Sequence, residues 1–202
     1  MIRLVLLVSA ATAVAAPQAV AQNIQRAQLV PHAPLVAEFG ACAARQLPGQ
    51  ARALMATGID SPQERRIARA MATSRRGCVD RRLNTLSMRV GEFRGGVAEA
   101  LLEQDPNAMS RLRAMPAAAP VRPQVADGRA FVAAYARCIA DAQPARAAAL
   151  LEVDRVGPAH RDAFLGFGDT LSGCMPVGLR YTIDQVDVRN HIAVRLYELA
   201  YR

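Results

Sequence analysis

The chain has 202 residues, 52% of them hydrophobic, and a formal net charge of +8 carried entirely on arginine, since none of its 25 basic residues is lysine. That length supports one domain with a sizeable core or two small ones, and the basic balance favours acidic partners. Serine–lysine catalysis is excluded outright, and with no tryptophan and only nine other aromatic residues, recognition of sugars by ring stacking is disfavoured.

The N-terminus has the three parts of a secretory signal peptide: a single charge at Arg3, an apolar run from Leu4 to Ala16, and Ala19-Val20-Ala21 ahead of Gln22. Residues 1–21 are therefore read as the signal peptide and residues 22–33 as an N-terminal segment. The apolar run is shorter than the roughly 18 residues that suggest a span, and no other stretch reaches that length, so no transmembrane segment is expected after cleavage. The first cysteine is Cys42, too far on for a lipid-anchored lipoprotein.

Cys42 and Cys78 are 36 residues apart, and so are Cys138 and Cys174. Sliding the chain by 96 residues superposes both pairs and also matches Pro48 with Pro144, Leu54 with Leu150, Pro62 with Pro158, Arg65 with Arg161 and Gly77 with Gly173. Ten identities fall in the forty positions 39–78, and with a one-residue deletion Arg94, Ala98, Leu101 and Glu103 meet Arg189, Ala193, Leu196 and Glu198. The register predicts a duplication, with repeat 1 at 34–103, a Pro-rich linker at 104–130 and repeat 2 at 131–202.

Within each repeat the periodicity is helical. Leu35, Phe39 and Cys42 form the apolar stripe of a first helix, as do Phe131, Tyr135 and Cys138. Pro48 and Pro144 sit where a second short helix starts, because proline is tolerated at the first helical position. Ser61-Pro62-Gln63-Glu64 carries the capping-box signature of a third. Behind it Ile67, Met71, Ser74 and Cys78 share a face, as do Ala163, Phe167, Thr170 and Cys174. A short irregular or extended piece precedes a last helix bearing Phe93, Val97 and Leu101 in one repeat, and Val188, Ile192 and Leu196 in the other. The linker, with prolines at 106, 116, 120 and 123, reads as extended or as a surface-hugging crossover.

FGDTLS, residues 167–172, resembles the FGDSLS block in which the GDSL lipases and esterases carry their nucleophilic serine, which would make Thr170 a nucleophile. The repeat register argues against this, because Thr170 falls on Ser74 and Asp169 on Thr73, at a helix end. The family's block follows an N-terminal strand and its aspartate stands three residues before a histidine, whereas Asp187 and His191 are four apart in a helical chain. The strings HExxH, GxSxG, CxxCH and GxxxxGK[ST] are absent, and Gly166-Phe167-Gly168 lacks the rest of a dinucleotide fingerprint, so neither a metal nor a cofactor is expected.

Cysteines 36 residues apart suit neither a zinc site nor a thiol oxidoreductase, both of which favour gaps of two to four. Four cysteines allow three disulfide connectivities, and the repeat register prefers Cys42–Cys78 and Cys138–Cys174. His32, His160 and His191 match no histidine across the repeats and read as ordinary polar residues. Arg94 and Arg189, shared by both repeats, are expected to hold a backbone carbonyl or a carboxylate. Charge is uneven: residues 36–103 carry a net +4 and residues 132–199 a net −1. Arg65, Arg66, Arg69, Arg75 and Arg76 lie on or near the third helix and form the candidate contact face for an anion or a partner.

A signal peptide, two C-x35-C pairs and a closing helix reading Arg-Gly-Gly-Val-Ala-Glu-Ala-Leu from Arg94 to Leu101 together resemble small exported helical proteins of GC-rich Gram-negative bacteria, a hypothetical-protein family. The resemblance implies an exported chain and brings no known activity and no functional residues. The expectation is an all-α protein of two tandem disulfide-stapled helical repeats, a non-enzymatic periplasmic or secreted interaction protein. Its partner would be an envelope protein or an anionic envelope component, not nucleic acid. Two rivals are an envelope hydrolase using Asp169, Thr170 and His191 between the repeats, and a purely electrostatic binder of anionic polymer.

Overall fold

Ten helices account for the regular structure of the described residues, with no strand among them. The computed structural model describes residues 32–74, 78, 86–124, 128–176 and 182–202, all within one unit. Residues 1–31, and with them the signal peptide and nearly all of the N-terminal segment, lie outside the described residues, as do Arg75, Arg76 and Gly77.

Helix α1 (His32–Gln46) runs into α2 (Pro48–Met55), and α3 (Pro62–Thr73) follows a short turn. After residues 86–89, which are not helical, comes α4 (Val90–Glu103). In the second half come α6 (Gly128–Ala142), α7 (Pro144–Leu150), α8 (Pro158–Leu165) with the one-turn α9 (Asp169–Gly173), then α10 (Gln185–Ala200). Four of these, α2, α3, α7 and α8, begin at a proline, whose missing N–H would find no intrahelical partner there and whose fixed φ suits a helix start. Ser61 caps α3 by accepting the Glu64 N–H at 3.0 Å. The returning arm of that box lands one residue early, with Glu64 Oε2 accepting from the N–H of Asp60 at 2.7 Å, which leaves the other oxygen for a buried role described below.

Two disulfides close, Cys42–Cys78 and Cys138–Cys174, with Cα atoms 5.4 and 5.7 Å apart. Each ties the first helix of its half to the chain at or just beyond the end of the third. Closing loops of this length stabilises by about 4 kcal/mol each on a chain-entropy view.

The segment read as an extended linker or a surface-hugging crossover is not extended throughout. Residues 106–114 form helix α5 (Pro106–Ala114), capped by Asp105, whose Oδ1 accepts from the N–H groups of Asn107 and Ala108. Its buried residues Ala108, Met109 and Leu112 pack α5 against α7 and α10. Four prolines dominated the sequence pattern, yet the first of them, directly after an aspartate, is a helix start. Among the described residues, 116–124 run without regular structure.

The core is a row of long helices in which α1 packs on α4, α4 on α10, and α10 on α6. Phe93, Val97, Ile192 and Leu196 are buried along its central pair, each worth about 1.5–3 kcal/mol in burial. What lets the backbones meet is the run Gly95-Gly96. A Cβ on Gly95 would stand 2.4 Å from the Cβ of Asn190 in α10, and one on Gly96 would stand 3.1 Å from the Cα of Ala37 in α1. Gly40 completes the second contact, with the backbone of Gly96 and Val97 3.0 Å from where its Cβ would be.

Gly95→Ala is therefore expected to lower stability by about 2–3 kcal/mol through overpacking. Gly49→Ala, in α2 with nothing within 4 Å of the new methyl group, should raise it by about 0.5–1 kcal/mol. Denaturant midpoints of the two variants against the parent check both signs.

Candidate functional site

Two surfaces stand out, one around Arg94 and Arg189, the arginines matched between the two halves of the sequence, and one around the arginines of α3. Arg94 is only 2% exposed and reaches the C-terminal end of α2, where the last carbonyls of a helix lack intrahelical partners. Its Nη2 donates to the carbonyls of Met55 and Thr57 at 3.2 and 2.8 Å, and its Nη1 to Glu64 Oε1 and Thr57 Oγ1, both at 3.0 Å. Arg189 does the same at the end of α7, donating to the carbonyls of Leu151 and Val153 at 3.1 and 2.9 Å. Leu151 and Val153 lie 96 residues after Met55 and Thr57. The expectation that these arginines hold carbonyls and carboxylates is met in both places.

The acid differs. In the first half Glu64, fully buried, neutralises Arg94 from α3. The position 96 residues on is His160, so Arg189 takes its carboxylate from the other half, pairing with Glu99 of α4 at 2.7 Å. Arg155 also binds Glu99 and donates to Asn190 Oδ1 at 2.8 Å. His160 is buried at 3% exposure, and its Nε2 has no hydrogen-bond partner among the described residues. Burial first, and then the charges of Arg189 and Arg155, hold its imidazole below the usual histidine range, while Asp184 and Glu99 offset part of this.

A cleft of about 510 Å³ opens above this cluster, between α1, α4 and residues 151–156. Glu38, Glu103 and Asp154 line it, with the Glu99–Arg189 pair at its wall. Burial and the neighbouring Glu99 push the Glu103 carboxyl above its ordinary value. The sequence reading missed this cleft because its walls come from both halves. The one local signal was Glu99 and Glu103, like charges four residues apart on one helix, an arrangement that is unfavourable unless something else sets it.

The second surface is the outer face of α3. Glu64, Ala68 and Met71 point inward at helical spacing, which turns Arg65, Arg66 and Arg69 outward, where all three are exposed. They line a shallow hollow of about 530 Å³ with Pro62, Ala70 and Thr73. Arg65 donates to the carbonyl of Asp60. Arg66 and Arg69 have no carboxylate partner among the described residues, whereas Arg89, Arg113, Arg137 and Arg195 are each paired with an acid. Arg65 and Arg69 carry like charge four residues apart, which weakens a helix by about 0.2–0.5 kcal/mol. Arg65 and Arg66 also stand near the positive N-terminal end of α3, where anions are preferred. Arg75 and Arg76 lie outside the described residues.

The hydrolase candidates are placed differently. Thr170 is 7% exposed, at the start of α9, and its hydroxyl accepts from Nε2 of Gln143, which also donates to the Phe167 carbonyl at 3.3 Å. A donor thus stands at Thr170 where an activating base would have to accept. His191 is buried in the middle of α10. Among the described residues, no three of His, Cys, Asp and Glu converge as a metal site. No protein-family model, curated protein or solved structure matches the chain.

Glu99→Ala leaves the buried Arg189 and the partly buried Arg155 without their carboxylate and should destabilise by about 3–5 kcal/mol. Adding His160→Glu places an acid where Glu64 serves Arg94, and the double variant should recover at least about half of that loss in a double-mutant cycle of unfolding free energies.

For His160 the sign follows from its depressed folded value. The unfolded chain binds the proton more readily, so the contribution is present above about pH 6.5 and is lost as the pH falls from there toward the folded value. The slope of stability against pH in that window should shrink in His160→Gln, as read by urea unfolding at a series of pH values.

Proposed function

We propose that the chain is an exported, non-enzymatic binding module, built from two duplicated disulfide-stapled helical halves, that engages an anionic partner through the outer face of α3. The observation that carries the reading is the trio Arg65, Arg66 and Arg69, exposed within one stretch of helix, with Arg66 and Arg69 lacking carboxylate partners among the described residues. Most of the other well-placed arginines of the fold are consumed by acids, and this face sits in an electrostatically unfavourable place on its helix. An arrangement that weakens its own helix is accounted for if an external anion supplies the missing charge.

Export is supported by the signal-peptide pattern of residues 1–21 and by two closed disulfides, which persist in oxidising compartments. No helix among the described residues is long and apolar enough to cross a membrane. Duplication is supported by the common cysteine spacing and by Arg94 and Arg189 holding carbonyls at corresponding positions. A periplasmic or secreted location and a likeness to exported helical proteins of Gram-negative bacteria belong to the same proposal.

Crosslinking of the tagged protein in its native host, with capture at low and moderate salt, tests this. The expected result is one anionic component captured in a salt-sensitive manner and lost in the Arg65→Gln, Arg66→Gln, Arg69→Gln triple variant, which should fold normally because all three side chains are exposed. Capture unchanged in that variant would move the contact elsewhere on the molecule.

A further inference from the structure

Arg65 and Arg69 line two depressions, not one. Besides the hollow on the outer face of α3 they border a groove of about 370 Å³ between α3 and the non-helical residues 86–89. Its lining is apolar: Ala68, Ala72, Leu86, Met88 and Val90, with Phe93 of α4 beneath. Leu86, Met88 and Val90 are only half-buried, so apolar surface is presented directly beside the arginine ridge.

Resting on the binding role assigned above to α3, we propose that the ridge and groove together are a docking site for an anionic phospholipid, with the phosphate on Arg65, Arg66 and Arg69 and the start of an acyl chain against Met88 and Leu86. Two features favour a lipid over an acidic peptide. The three guanidinium groups are rooted within about 6 Å along the helix axis, at 1.5 Å of rise per residue, so they converge on one compact, multiply hydrogen-bonding head group. Charges on a peptide would be spread along its length. The groove then begins at that same ridge, so an anionic head and an apolar tail joined directly are matched in order and in spacing. Guanidinium forks suit phosphate oxygens, and at an anionic lipid surface basic residues and apolar contact add to one another in holding a protein there.

The chain contains no tryptophan, so a single introduced one reports its own surroundings without background. Protein purified from the host envelope, carrying Met88→Trp, is mixed with phosphatidylglycerol vesicles and, separately, with phosphatidylcholine vesicles. The expected result is co-sedimentation with the phosphatidylglycerol vesicles alone, a shift of the emission to shorter wavelength, and quenching by lipids brominated near the head group. Val121→Trp, at an exposed position away from the groove, should neither shift nor quench. Adding Arg65→Gln, Arg66→Gln and Arg69→Gln should weaken binding by about a hundredfold, from about fivefold for each arginine at a lipid surface.

Binding of the Met88→Trp variant to phosphatidylglycerol without a shift of its emission would overturn the groove while leaving the arginine face in place. Retention on a soluble polyphosphate with no vesicle binding would do the same, making the partner a polymer and not a lipid. Vesicle binding that survives the three arginine substitutions would overturn both this site and the role given to α3. Should Met88→Trp disturb folding, Leu86→Trp carries the same measurement from the neighbouring wall.

Discussion

The structure turns on the crossing of α4 and α10 at Gly95 and Asn190. Because Gly95 has no side chain, the two helices meet at backbone distance, and the arginines one residue earlier in each helix, Arg94 and Arg189, are carried to the ends of α2 and α7. Gly96, one residue later, admits α1 on the other side. Three consecutive residues of one helix thus set its contacts with three neighbouring elements. Buried guanidinium groups are tolerable only when nearly every donor is used, so the carbonyls of α2 and α7 and the carboxylates of Glu64 and Glu99 follow from where the crossing puts the arginines.

The difference between the halves has a mechanical consequence. Arg94 is neutralised from within its own half by Glu64, but Arg189 has His160 at that position and draws Glu99 from the first half, together with Arg155. A charge pair that spans the halves couples their stability, since separating them would strand Arg189 and Arg155 as well as expose the apolar crossing. Two units that look autonomous in sequence, each with its own disulfide, are in this way joined into one cooperative core.

Much of this architecture was legible in the sequence. The helix starts at Pro48, Pro62 and Pro144, the stripe of Phe93, Val97 and Leu101, and the pairing of cysteines 36 apart all rest on spacing within the sequence, which helical geometry and the matched cysteine intervals expose directly. What escaped was set by contacts between distant segments. Helix α5 was hidden by prolines whose first member is a cap neighbour and not a breaker, and its apolar residues Ala108, Met109 and Leu112 gain meaning only against α7 and α10. The cleft beside Glu99 was hidden because its walls come from three segments far apart in sequence. The arginine trio was visible as a charge cluster; that Arg66 and Arg69 lack carboxylate partners among the described residues was not, because pairing depends on where Glu64 and Asp60 turn.

That turning bears on why α3 suits a binding role. Glu64 is clamped beneath the helix by Arg94 and by the Asp60 N–H, the Ser61 cap fixes its start, and Cys78, five residues beyond its end, is bonded to α1. A helix held at its start and along its inner face loses little further freedom when its outer face meets a ligand, and a surface already ordered spends less of its interaction energy on being immobilised. The same rigidity keeps Arg65 and Arg69 on the ridge between hollow and groove, so the burial of Glu64 and the display of the arginines are two sides of one constraint. Loosening the Arg94–Glu64 pair would blur the geometry of the outer face before it unfolded the domain, and binding at the proposed site would then fall more steeply than stability.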